Sequence, residues 1–205
     1  MIMKSAKSKM LICGGLLLIA AALCLGAYHL WEAHRAAVGS ERILQEMTAE
    51  IPAPNPAEHE PEAYVPEYVM NPNMEMPEIE IDGQAYIGRL DIPSLNLSLP
   101  VMSQWSNPNL KLAPCRYQGS AYLGNLILCA HNYNAHFGRL KELEPGSEVT
   151  FTDTAGNTFS YAVTETEVLA AADTEKMANE GWDLTLFTCT VGGEKRVTVR
   201  CGIQR

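Results

Sequence analysis

The sequence lacks any excess of positive charge: 15 Lys and Arg residues are outnumbered by 24 Asp and Glu residues, which gives a net charge of −9. A nucleic-acid-binding chain carries a basic surface, so no nucleic-acid partner is expected. Between positions 43 and 82 basic residues are absent altogether, and ten acidic residues lie there. We find no internal repeat and no long low-complexity run. Hydrophobic residues make up 47% of the chain, which is enough for a folded core and excludes global disorder.

The N-terminal region contains one long apolar run. Residues 10–28 carry no charge, and a helix of that length spans about 28 Å, close to the thickness of a bilayer core. Lys4, Lys7 and Lys9 precede the run. The sequence therefore predicts a basic cytoplasmic end at 1–9, a transmembrane anchor at 10–31 and an extracellular remainder. A cleaved signal peptide and a lipoprotein joined through Cys24 are alternatives, both disfavoured by bulky residues beside the cleavage points.

Residues 32–82 predict an extracellular tether rich in Pro and Glu. Seven of the 12 prolines lie between 51 and 80, where they prevent a continuous helix. The repelling acidic charges favour an extended chain. The simplest interpretation is a passive spacer. The alternative is that part of it folds back over the following domain, docking through Tyr64, Val65, Tyr68 and Val69.

Residues 83–205 predict a mostly β domain with short helices. Short apolar stretches broken by turns have the length of strands, at 86–92, 97–102, 125–131, 148–153, 158–169, 184–189 and 196–203. The stretch 125–131 is nearly all apolar, which predicts a strand buried on both faces. Helical turns are expected at 137–143 and 173–179. Many short strands at close spacing favour a closed barrel or a sandwich.

The last predicted hairpin carries a reactive combination of residues. Cys189 and Arg196 flank its turn, so they should lie near each other, and a neighbouring cation favours the thiolate. Arg200 lies roughly 13 Å further along the strand and is expected to be a solvated charge. His131 ends the buried strand at 125–131, where a site residue would lie, and can carry the proton that the thiol gives up. His136 lies in the loop that follows.

Four motifs in this region occur together in one known family. The sequence TLFTC at 185–189 resembles the TLxTC signature of sortases, and RVTVR at 196–200 resembles the strand that bears the sortase arginine. AHN at 130–132 resembles the sortase histidine motif. IGRLDIP at 87–93, with LPV at 99–101, resembles the opening strands of the family. The resemblance covers residues 85–205 in the family's order, and a single N-terminal anchor also fits it.

The resemblance implies a fold and an activity. Sortases are membrane-anchored cysteine transpeptidases, mostly of Gram-positive bacteria, and adopt an eight-stranded β-barrel. They cleave an LPxTG-like sorting signal through a thioacyl-enzyme and transfer the surface protein to an amine of the cell wall or of a pilin. By this resemblance Cys189 is the nucleophile, His131 the general acid and base, and Arg196 the oxyanion or substrate contact. Thr188 and Asn132 are implied in substrate binding, and no cofactor or metal is needed.

Several alternatives stay open on the sequence alone. The missing lid motif and the missing second hydrophobic segment favour a class D-like or unassigned branch. Two other functions are alternatives, a Cys-His hydrolase acting on cell-wall peptides and a non-enzymatic tethered binding domain. Cys201 is expected in the core and Cys129 near the site, and a disulfide among Cys115, Cys129 and Cys201 is undecided. A zinc site formed by Cys115, Cys129, His131 and His136 lacks a recognised ligand spacing.

Overall fold

A single helix forms the N-terminal quarter of the chain. The structure is a computed structural model that describes residues 3–51, 65–178 and 181–204. Helix α1 spans Met3–Glu50, and the chain divides into two compact units, Met1–Arg35 and Ala36–Arg205. In the first unit the side chains of residues 9–31 are all exposed, as those of a lipid-facing helix are. Within the described part of the chain, one helix is long and apolar enough to cross a membrane, and it includes the predicted anchor.

The second unit is built mainly from strands. The described residues of this unit form nine strands: β1 (Ile79–Ile81), β2 (Gln84–Ile92), β3 (Leu97–Met102), β4 (Cys115–Gln118), β5 (Leu126–Ala130), β6 (Glu148–Asp153), β7 (Thr158–Ala170), β8 (Leu184–Cys189) and β9 (Lys195–Ile203). Its short helices are α2 (Glu67–Met70), α3 (Asn107–Leu110) and α4 (Thr174–Met177), and its 3-10 turns are Pro93–Leu95, Ala121–Leu123 and Leu140–Glu142. The helical turns expected at 137–143 and 173–179 correspond to Leu140–Glu142 and α4, while Asn179 lies outside the described residues.

The strands close into a barrel. They follow the order β1-β2-β3-β4-β5-β8-β9-β7-β6, and β2 also pairs with β6, so strands β2 to β9 form a closed eight-stranded barrel with β1 at its edge. The predicted eight-stranded barrel is confirmed. Gly88 lies where β2 pairs on both sides, with a φ of 157°. A Cβ there would lie 2.2 Å from the carbonyl oxygen of Thr152, so only glycine allows β6 to close the barrel.

The alternation of side chains along the strands separates an inner core from an outer one. Leu126 and Leu128 of β5 point into the barrel core, whereas Cys129 belongs to an apolar cluster outside it. All five residues of β5 are buried, so the prediction of a strand buried on both faces is confirmed. Such a strand has no solvated face, which explains its uninterrupted apolar sequence. Its end is consequently a rigid place from which to hold a functional side chain.

The outer cluster includes residues of the predicted tether. Ala36, Ser40, Ile43 and Met47 are buried along one face of α1, at the 4-3-4 spacing of a helix that packs on another surface. Tyr68 stacks on Tyr122 with 4.7 Å between the ring centroids. Val65 and Val69 are exposed, and Tyr64 lies outside the described residues. The described parts of 36–82 thus contribute to both cores, which a passive spacer would not, and the tether boundaries at 32 and 82 stay a prediction.

Candidate functional site

The hairpin of β8 and β9 places a thiol beside a guanidinium. Cys189 and Arg196 are directly paired across it, so the expected proximity of the two residues is confirmed. The Nη1 atom of Arg196 donates hydrogen bonds to the carbonyl oxygens of Gly193, at 2.8 Å, and Lys195, at 3.1 Å. The side chain is therefore held by the backbone of its own turn. Its other guanidinium nitrogens have no hydrogen-bond partner among the described residues, so they remain available to a bound group.

A parallel pairing brings His131 to the same end of the barrel. Strand β5 runs parallel to β8 with Ala130 opposite Thr188, so the residues that follow each of them leave the sheet side by side. The Thr188 hydroxyl donates a hydrogen bond of 2.8 Å to the carbonyl oxygen of Ala130. The backbone N–H of Phe137 donates one of 3.3 Å to the carbonyl oxygen of His131. The backbone on both sides of the histidine is thus fixed.

Two pockets meet at Cys189. The first has a volume of about 330 Å³ and contains His131, Cys189 and Arg196 in its lining. One wall of it is a row of three aromatic side chains with centroid separations of 5.7 and 5.3 Å, formed by Trp105, Tyr117 and Phe187. The second pocket, of about 380 Å³, has a more polar lining that includes Asn132, Asn134 and Lys141. Cys189 and Thr188 border both pockets, so a group bound to the thiol can be reached from either one.

The two residues implied in substrate binding lie at these pockets. Asn132 is exposed and lines the second pocket. Thr188 is buried, and its hydroxyl hydrogen is engaged by Ala130, so only an oxygen lone pair remains for another contact. Leu184 and Leu186 face the barrel core, while Phe187 and Cys189 line the first pocket. The roles of Asn132 and Thr188 in substrate binding stay predictions.

The remaining cysteines of the second unit are buried. Burial raises the pKa of Cys115 and of Cys201 to about 12, and it raises the pKa of Cys129 well above the ordinary range. These thiols are therefore protonated and unreactive at neutral pH. Cys129 lines the first pocket with His131, as the sequence predicts, and Cys201 lies in the core. All six cysteines are free thiols in this structure. Across residues 3–51, 65–178 and 181–204 no cluster of His, Cys, Asp and Glu is arranged to hold a metal ion.

The expectation for Arg200 is wrong. Its side chain is 1% exposed, and it donates to the Glu167 carboxylate at 2.9 Å and to the Thr185 hydroxyl at 3.0 Å. It also donates to the carbonyl oxygens of Lys176 and Met177 in helix α4. Arg200 lies on a face of β9 that α4 covers. Because Met177 and its neighbours line the first pocket, Arg200 fixes one wall of the site.

Sequence reasoning also missed the environment of His136. This side chain is completely buried, and its Nε2 atom lies 3.1 Å from the Ser40 hydroxyl of α1. Burial and, to a smaller extent, the nearby His131 lower the pKa of His136 to about 4, against the opposing effect of a hydrogen bond with the Ala36 backbone. The imidazole is therefore neutral at physiological pH. The helical spacing of small residues at 36 and 40 was the only sequence signal of this contact.

Comparisons with known proteins identify the fold and the family. A sequence model described as the sortase domain matches residues 90–204, which is more than half of the chain. The structure is similar to a Clostridium perfringens sortase D5 transpeptidase, with a TM-score of 0.59 and 19% identity over 82% of this chain and 99% of that one. It is also similar to sortase A from Corynebacterium diphtheriae, with a TM-score of 0.53 and 20% identity over 84% of each chain.

A third similar structure is sortase A from Listeria monocytogenes, with a TM-score of 0.52 and 23% identity over 58% of this chain and 88% of that one. No curated protein matches the sequence. The structural likenesses, all at low identity, support the barrel fold, and the class within the family stays a prediction. Because the sortase domain model matches more than half of the chain, it shows the family: the chain belongs to the sortases, which are cysteine transpeptidases.

Proposed function

We propose that this enzyme cleaves an LPxTG-like sorting signal through a thioacyl-enzyme on Cys189 and transfers the surface protein to an amine of the cell wall. The observation that carries this proposal is the meeting of Cys189, its cross-strand partner Arg196 and His131 at one pocket. Nucleophile, proton carrier and cation are the three groups that acyl transfer needs. The reaction requires no cofactor.

In the acylation step the Cys189 thiolate attacks the scissile carbonyl carbon and forms a C–S bond. The guanidinium of Arg196 binds the oxygen that becomes negative in the tetrahedral intermediate, a charge-assisted contact. When the C–N bond breaks, His131 gives a proton to the leaving amine, which departs as the C-terminal part of the signal. The neutral imidazole that remains is the base required for the second step.

In the transfer step an acceptor amine attacks the thioester carbonyl, and His131 removes one of its protons. The C–S bond breaks and Cys189 returns as a thiolate, so the proton balance is restored. The apolar pocket lined by Trp105 and Phe187 suits the hydrophobic part of a sorting signal. The second pocket, with Asn132 at its edge, suits a polar acceptor that approaches after the leaving group has gone.

The enzyme works at a membrane in this proposal. Helix α1 supplies an apolar segment of bilayer length at 10–28, preceded by Lys4, Lys7 and Lys9. The positive-inside rule then places the N-terminus in the cytoplasm and the barrel outside the cell, where surface proteins emerge. The natural amine is that of a cell-wall precursor.

The test uses the full chain in detergent micelles, a library of LPxTG-like peptides and triglycine as the amine. Mass spectrometry follows the enzyme and the products. We expect an acyl adduct on Cys189 that triglycine resolves into a new amide, and no adduct in the Cys189→Ala variant. Turnover by Cys189→Ala, or an adduct on another residue, would overturn the assignment. An adduct that only water resolves would instead identify a hydrolase.

A further inference from the structure

A buried histidine joins helix α1 to the loop that carries His131. His136 is completely buried and Ser40 is 3% exposed, so their contact at 3.1 Å is shielded from water. The same Ser40 hydroxyl donates a hydrogen bond of 2.9 Å to the carbonyl oxygen of Leu112. One small side chain of α1 therefore contacts both the histidine loop and the segment that leads into β4.

Counting hydrogens fixes the tautomer of His136. A serine hydroxyl has one hydrogen, which Ser40 gives to Leu112, so its oxygen accepts from the Nε2–H of His136. The ring is neutral, in line with its lowered pKa, and carries its proton on Nε2. Its Nδ1 atom has no hydrogen-bond partner among the described residues. The Ser40 hydroxyl and the backbone of Ala36, both in α1, are thus the groups that orient this ring.

The loop transmits that orientation to His131 over a short path. The Tyr133 ring lies between the two histidines, with its centroid 5.2 Å from that of His131 and 5.7 Å from that of His136. The His136 backbone N–H donates to the carbonyl oxygen of Tyr133 at 2.8 Å. Phe137, whose N–H binds the His131 carbonyl, is fully buried in the barrel core. A displacement of His136 therefore moves the residues that flank the His131 ring.

We propose that Ser40 and His136 are a positioning pair that holds the loop 131–138, and through it the His131 imidazole, in the geometry needed for proton transfer. This inference rests on the proposed function of His131. It makes residues 36–50 of α1 a part of the catalytic unit. It also accounts for a neutral His136 beside His131: a second positive charge there would oppose formation of the imidazolium that protonates the leaving amine.

The test compares full-chain variants in detergent micelles. Ser40→Ala removes the acceptor, and His136→Leu removes the donor. His136→Gln keeps an N–H donor near the Nε2 position. Thr48→Ala is the matched control, because the exposed Thr48 hydroxyl donates to the carbonyl of Leu44 within α1. The probes are triglycine and the library peptide that acylates the wild-type enzyme fastest. We expect Ser40→Ala and His136→Leu to lower kcat roughly tenfold, with KM nearly unchanged, as a misplaced catalytic group does.

The conservative His136→Gln variant should retain most of kcat, and Thr48→Ala all of it. Equal kcat values for Ser40→Ala and Thr48→Ala would overturn the inference. Loss of activity in His136→Gln with a native circular dichroism spectrum would also contradict it. If His136→Leu fails to fold, Ser40→Ala decides alone, since alanine is compatible with a helix.

A measurement that needs no substrate separates this inference from the proposed function. Nitrogen-15 spectra of the histidine rings report tautomer and environment. We expect the wild-type His136 ring to show the Nε2–H form, and the His131 signals to shift in Ser40→Ala but not in Thr48→Ala. If no library peptide acylates the wild-type enzyme, the proposed function fails while these spectra still test the pair. Unchanged His131 signals in Ser40→Ala would refute the positioning role even in an active sortase.

Discussion

Thr188 is bonded through its hydroxyl to the carbonyl oxygen of Ala130, at 2.8 Å. The residue before Cys189, the proposed nucleophile, is thereby tied to the residue before His131, the proposed proton carrier. The hydrogen bond crosses the parallel pair of strands β5 and β8, which end beside each other. It fixes the distance between the two backbones that carry Cys189 and His131.

Replacing Thr188 with Val should lower kcat more than it lowers the stability of the fold. Valine keeps the shape of threonine but loses the hydroxyl, which costs about 1 kcal/mol in the free energy of unfolding. We expect kcat to fall roughly tenfold, a larger effect, because Cys189 and His131 lose their common register. Thr166→Val, on an exposed position of β7, is the control. Steady-state kinetics and urea unfolding check both values, and a kcat equal to that of the control would refute the idea.

Arg196→Lys should impair catalysis without affecting the fold. An ammonium cannot keep the turn contacts to Gly193 and Lys195 and bind an oxyanion at the same time. We expect kcat/KM to fall roughly 100-fold with an unchanged melting temperature. Lys195→Gln, which removes a charge from the same turn, should leave the rate nearly unchanged. A near-native rate for Arg196→Lys would show that only the charge matters.

Arg200→Met, unlike Arg196→Lys, should destabilise the fold. The substitution leaves Glu167 and the carbonyl groups of α4 without their buried partner, which we expect to lower the free energy of unfolding by about 3 kcal/mol. Arg42→Met breaks the exposed ion pairs with Glu46 and Asp82 and should cost less than about 1 kcal/mol. Urea unfolding measures both. Similar losses for the two variants would mean that burial of Arg200 adds nothing.

Alkylation should select Cys189 among the cysteines of the second unit. The thiols of Cys115, Cys129 and Cys201 are buried with raised pKa values, whereas Cys189 is half-buried at the junction of two pockets. With iodoacetamide at about pH 8 we expect modification of Cys189 alone among these four. Peptide mass spectrometry identifies the modified site. If Cys129 is modified before Cys189, the first pocket opens more widely than its described lining allows.

The buried His136 should make stability depend on pH. Its pKa is about 4 in the folded enzyme and 6.5 when unfolded, so the unfolded state binds more protons between these values. Stability is therefore fully present above pH 6.5 and is lost as the pH falls toward 4. Between pH 7.5 and pH 5 the loss due to this group is about 2 kcal/mol. Urea unfolding should show this loss in the wild-type enzyme and not in His136→Gln, and equal losses would contradict it.

Strands with a regular pattern could be predicted from the sequence almost to the residue. The bounds of β6 and β8 match the predicted ones, and β7 and β9 differ by one residue each. The reason is that each buries one or both faces on a single core, so apolar and polar positions alternate with the strand period. The position of the candidate site followed from the same regularity, because its residues lie at strand ends.

Features that depend on distant contacts could not be predicted. Strand β1 has three residues, and β4 joins β3 through a single pair, Met102 and Cys115, so neither has a periodic pattern of its own. The burial of Arg200 depends on α4, which is 23 residues away along the chain. Likewise the burial of Ser40 cannot be predicted locally, because its partner His136 lies 96 residues later in the chain. Small residues leave no hydrophobic signal, so the sequence assigns this helix face to the tether.

The parallel pairing of β5 with β8 has a consequence for the order in which the enzyme is made. His131 and Cys189 are 58 residues apart in sequence. They come together only when β5 pairs with β8, and the hairpin of β6 and β7 lies between these two strands in the chain. Contacts of such long range form late in folding. A partly synthesised chain therefore lacks the strand pairing that brings Cys189 and His131 to one pocket. The proposed site can form only when β5 and β8 pair and the barrel closes.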